Sequence, residues 1–114
     1  MYKISHLSPM IPSYNIDETR RFFTELFGFE IIRDGEYVIL RKDEHLIHLL
    51  KAGDIGEMEF YLEVDNIDEL WNSIKDKLPQ VKVKPPFNRD YGMKEFHIIV
   101  PQTKTLMFVG QVLR

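Results

Sequence analysis

The chain has 114 residues, 44% of them hydrophobic and 12% aromatic, with a formal net charge of -3 and no cysteine. That length supports one core-forming domain, residues 1–114, and the lack of cysteine excludes disulfides, thiolate metal ligands and a cysteine nucleophile. An acidic balance with no long basic run argues against nucleic acid as a partner, and no apolar run approaches the roughly 20 residues that would cross a bilayer, so no membrane partner is expected.

In chain order, the pattern predicts a strand over about Ile4 to Tyr14 and a helix from Ile16 to Phe27, with Gly28 as its left-handed cap. Three strands follow near Phe29 to Arg33, Tyr37 to Arg41 and His45 to Lys51. Asp34-Gly35 is a two-residue hairpin signal and Lys42-Asp43-Glu44 a second polar break. A short linker with Gly53 and Gly56 leads to a second series: strand Met58 to Val64, helix Ile67 to Leu78 ended by Pro79, strand Val81 to Lys84, a loop over Pro85 to Tyr91, and strands Lys94 to Val100 and Thr105 to Val112. Met1 to Tyr14 has neither the charged start nor the apolar stretch of a secretory signal, so a cytoplasmic location is expected.

The two series are copies of one unit. Asn-Ile-Asp-Glu occurs at Asn15 to Glu18 and again at Asn66 to Glu69, a repeat of 51 residues. Behind each copy the helix-face residues match, Ile16, Thr19 and Phe23 against Ile67, Leu70 and Ile74. Each Asn can accept from a first-turn amide, each Glu sits at the capping-box position, and Asp17 and Asp68 oppose the positive helix end. The expected architecture is α+β: two modules, about 1–52 and 57–114, each running strand, helix, three strands.

The order of these modules, with Pro9-Met10-Ile11-Pro12-Ser13, Arg21-Phe22-Phe23-Thr24-Glu25-Leu26-Phe27-Gly28-Phe29 and Tyr91-Gly92-Met93-Lys94-Glu95-Phe96, resembles the glyoxalase, bleomycin resistance and extradiol dioxygenase (vicinal oxygen chelate) superfamily, most closely its bleomycin resistance branch. The resemblance covers nearly the whole chain. It implies two βαβββ modules with curved mixed sheets around a cavity, commonly completed in a homodimer. In the superfamily's metal enzymes the ligands come from the first and last strands of each module, and that correspondence falls on Ser8, His48, Glu59 and Phe108. Phenylalanine cannot ligate and a serine hydroxyl is a poor neutral donor, which leaves His48 and Glu59 and so no metal site or cofactor. A register error of the alignment would bring in His6 or His97 as a further donor.

Each candidate carries more than one reading. His48 shares a strand face with Leu46 and Leu50 and fits a bonded core histidine, a polar contact in a cavity, or a ligand. Glu59 shares its face with Tyr61 and Glu63 and fits solvent as well as a basic guest. Tyr91, before Gly92, fits a stacking ring or the packing of its own loop, and Phe108 fits cavity lining or core. Met10 and Phe87 join the lining candidates. The expected function is a metal-free binding protein that sequesters an aromatic or cationic small molecule, an antibiotic among the candidates, through Tyr91, Phe108, His48, Glu59, Met10 and Ser8. The alternative is a metal-dependent lyase, isomerase or dioxygenase of the same superfamily, using His48, Glu59 and another donor.

Overall fold

A computed structural model describes residues 1–114, which divide into two compact units, Met1–Ile55 and Gly56–Arg114. The fold is α+β, with one four-stranded mixed sheet in each unit. In the first unit, strand β1 (Met10–Ser13) leads into helix α1 (Ile16–Arg21), followed by β2 (Glu30–Arg33), β3 (Tyr37–Lys42) and β4 (His45–Lys51). The sheet order is β1-β4-β3-β2, with β1 parallel to β4 and the other pairs antiparallel.

Helix α1 starts where the sequence places it, because the Asn15 side chain accepts from the Glu18 amide at 3.3 Å and satisfies a donor that has no partner inside the helix. Beyond Arg21 the chain does not continue as α-helix but widens into a π turn over Phe22–Leu26. The wider turn lets Phe22, Phe23 and Phe27 all bury, with rings 5.1 to 6.3 Å apart, and Phe29 joins Phe23 at 5.6 Å. These rings and Ile11, Val38, Leu40, Ile47 and Leu49 form the core of the unit. The buried pair Ser13 and Thr19, hydroxyls 2.7 Å apart, ties β1 to α1. Between β3 and β4, Asp43 and Glu44 both take positive φ, the requirement of the tight turn that matches strand twist.

The second unit repeats the series with β5 (Met58–Glu63), α2 (Ile67–Ile74), β6 (Val83–Asn88), β7 (Met93–Ile99) and β8 (Thr105–Val112) in sheet order β5-β8-β7-β6. Asn66 caps α2 by accepting from the Glu69 amide at 3.1 Å, and the Ile67 amide donates to Gln111 Oε1 at 2.8 Å, pinning the helix start to β8. Ile67, Ile74, Phe96, Ile98, Val100, Met107 and Val109 make this core. At the sheet edge, β6 carries Pro85 and Pro86, and its pairing with β7 shifts register between Lys84 and Phe87. Proline has no ladder donor, so the bulge and the edge position go together.

Four boundaries differ from expectation. The first strand covers Met10–Ser13 rather than Ile4 to Tyr14, since Tyr2, Ile4 and Leu7 stand exposed with no strand partner. The first helix becomes the π turn, and the second stops at Ile74 rather than at Leu78. The segment Pro85 to Tyr91, expected as a loop, contributes most of β6, because an edge strand tolerates the two prolines.

Candidate functional site

Each sheet buries one face under its helix and leaves the other open, since strand side chains alternate. On the open face of the second unit, rings cross all four strands. Tyr61 on β5 stacks against Phe108 on β8 with centroids 6.3 Å apart and planes 22° apart. Phe108 meets the His97 imidazole on β7 at 4.1 Å, and His97 meets Phe87 on β6 at 5.1 Å, edge to face. Two cations stand over the end of this series: Lys84 Nζ lies 4.1 Å and the Arg89 guanidinium 5.3 Å from the Phe87 centroid. Arg89 also lies 5.0 Å from the Tyr91 ring.

Beneath the rings sits a charge with no solvent exposure, the Glu95 carboxylate. Its Oε2 accepts from the Tyr61 hydroxyl at 2.7 Å and from the Tyr91 hydroxyl; its Oε1 accepts from His97 Nε2 at 2.8 Å and lies 3.5 Å from Arg89 Nη1. Burial pushes the carboxyl pKa up, but the bonds from His97, Tyr91 and Tyr61 and the charge of Arg89 outweigh it and hold Glu95 below the usual carboxylate range. An ionised carboxylate only accepts, so His97 carries a proton on Nε2, an assignment that follows from this network. Desolvation and the bond to Glu95 push the Tyr61 phenol up, and the Glu95 bond does the same at Tyr91, so both stay protonated donors.

Gly110 makes the arrangement possible. A Cβ there would lie 1.8 Å from the Tyr61 hydroxyl oxygen and 2.7 Å from its ring carbon, closer than atoms can approach, so a bare backbone lets the phenol cross to Glu95. Gly92, at φ +81, closes the turn that carries Tyr91 between β6 and β7.

The candidate residues fall into two groups. Glu59, Tyr91 and Phe108 belong to the second unit; Glu59 is exposed on β5 one alternation before Tyr61, and Tyr91 is 56% exposed above Glu95. Met10, His48 and Ser8 belong to the first unit. Met10 pairs with His48 across β1 and β4, His48 Nδ1 lies 2.7 Å from the Tyr37 hydroxyl, and Ser8 lies before β1, outside any strand. Sequence reasoning did not select Tyr61, Glu95, Arg89 or His97 as lining. The shared parity of Glu95 and His97 on one strand was the available signal. No three His, Asp or Glu side chains converge in ligating geometry, so the donors present do not fit the metal centre of the superfamily's enzymes.

No family model and no curated protein matches the sequence. Solved structures do. A bleomycin resistance determinant encoded on the transposon Tn5 superposes with a TM-score of 0.79 at 20% identity, covering 96% of this chain and 98% of that one. The fold is that of the bleomycin resistance proteins and glyoxalases. An antibiotic-binding protein from a Streptomyces species matches with a TM-score of 0.79 at 16% identity over 98% and 99% of the two chains. Lactoylglutathione lyase from Agrobacterium tumefaciens matches with 0.76 at 16% over 96% and 95%. Binding proteins and an enzyme thus share the architecture, and the side chains must separate them.

Proposed function

We propose that this chain is a metal-free binding protein of the bleomycin-resistance type, which sequesters an aromatic or cationic small molecule, an antibiotic among the candidates, in a cavity associated with a homodimer. The observation that carries the reading is the ring series Tyr61, Phe108, His97 and Phe87 on an open sheet face, edged by the exposed Tyr91 and Glu59. Ring faces accept planar guests without chemistry, and a few fixed polar groups orient them. Glu95 supports binding over catalysis: held ionised, with both oxygens engaged, it orders the phenols above it and is not free to take a proton. His48, Met10 and Ser8 are the guest contacts proposed for the first unit by itself. Similarly folded proteins that bind bleomycin, or in one case another antibiotic, support the same class of guest.

Calorimetric titration with bleomycin, before and after chelator treatment, tests the reading together with growth of a sensitive host expressing the chain. Equal binding in both preparations, lost on Phe108→Ala and Tyr91→Ala, is the expected result. Absence of binding at high micromolar concentration rejects bleomycin as the guest, and stoichiometric divalent metal lost on His48→Ala or Glu59→Ala rejects the metal-free reading.

A further inference from the structure

The open face of the second sheet is charged unequally from edge to edge. Glu59, Leu106 and Ile99 are cross-strand partners on β5, β8 and β7, and the Ile99 amide donates to the Lys82 carbonyl at 3.0 Å, just before β6. One row of the sheet therefore reads acid, apolar, apolar, base. The next row reads Tyr61, Phe108, His97, Lys84. Glu63, opposite Gly110, extends the acidic edge on the same face.

Two hollows follow this division. One, of about 660 Å³, takes in Glu57 and Glu59 with Lys104 as its single cation; the other, of about 280 Å³, takes in Lys82, Lys84 and His97 and no carboxylate. They share the same floor, Ile99 and Leu106, so they are two ends of one trough across the sheet. Glu57, Glu59, Lys82 and Lys84 are all exposed and stand in no ion pair within the chain. Three strand spacings separate the edges, roughly 14 Å.

We propose that the guest is bipolar: an elongated aromatic molecule lying across the strands, its cationic end at Glu57 and Glu59, its rings over Leu106, Ile99 and Phe108, and an anionic group such as a carboxylate at Lys82 and Lys84. The proposal rests on the binding function above and adds the second charge and the orientation. Complementary ends fix direction, and a guest with one charge leaves the opposite edge unmatched.

Three biphenyl probes separate the possibilities: one with an aminomethyl group and a carboxylate at opposite ends, one with the aminomethyl group alone and one with the carboxylate alone. Calorimetry on the full chain is expected to rank the bipolar probe about tenfold above either of the others. The double variant Lys82→Glu/Lys84→Glu is expected to weaken the bipolar and carboxylate probes about tenfold and spare the ammonium probe, and Glu59→Lys to do the reverse. These positions are exposed, and circular dichroism confirms folding of each variant. If all three probes bind alike and the reversals change nothing, the trough has no polarity and the proposal falls while the binding function stands. If no probe binds, the proposal falls, and the binding function is decided by the bleomycin titration alone. A reversal that alters the mass in light scattering instead of probe affinity makes this face a contact between copies, which also overturns the proposal.

Discussion

The two units share strand order, parallel and antiparallel pairing and helix cap, yet their open sheet faces differ in chemistry. In the first, the central polar group is His48, half-buried, with Tyr37 as its hydrogen-bond partner at 2.7 Å. In the second, the centre is a fully buried carboxylate with two phenols, an imidazole and a guanidinium around it. The same scaffold recurs in both units, and the candidate site differs through the side chains on the open sheet face. One hydrogen bond in a half-wet place is worth about 1 kcal/mol, whereas a buried charge and its partners stand or fall together.

The strongest way to break this comparison is to remove the two centres in turn. Glu95→Ala removes the fully buried acceptor shared by Tyr61, Tyr91 and His97 and is expected to cost about 3 kcal/mol in denaturant unfolding, against about 1 kcal/mol for His48→Ala. Equal losses would show that the two faces are alike after all. Gly110→Ala comes next, at about 2 kcal/mol, because the added methyl group and Tyr61 cannot share the space. That cost should mostly disappear in a Tyr61→Ala background, a coupling read by a double-mutant cycle.

Acid sharpens the contrast further. The folded Glu95 carboxyl lies below its ordinary value of 4.5, so its contribution is complete above that pH and is lost as pH falls through the lower folded value. Glu95→Gln is expected to lower neutral stability and flatten the acid loss. Asp34 in the first unit is also held low, by the Gly35 amide and then Arg20, but at the exposed surface where water screens the pair; Asp34→Asn should leave the acid limb nearly unchanged. The smallest effect tests the shared scaffold: Asn15→Ala and Asn66→Ala should each cost about 1 kcal/mol and match within a few tenths.

The duplicated caps were legible because capping is local: Asn15 and Asn66 meet amides three residues on. The α+β class followed from the same repeat. Where neighbours far along the chain decide, the sequence was mute. Phe22, Phe23 and Phe27 suit an α-helix and a π turn equally until a sheet lies beneath them. Ile4, His6 and Ser8 alternate like a strand, yet pairing stops at Met10. Glu95 read as well as a solvated residue as a site residue, since its partner Tyr61 lies 34 positions away and nothing local announces that bond. Tyr91, by contrast, could be noticed from its turn glycine and from the resemblance carried by Tyr91 to Phe96.

The prolines of β6 have a consequence for how this molecule avoids its own kind. An edge strand with free amide donors is a template on which another chain can extend the sheet, the first step towards fibrils. Pro85 and Pro86 withhold two of those donors in succession, and the register slip beside them bends the margin away from a straight docking line. The backbone itself thus hinders growth from that side, without calling on the charges of the lysines nearby.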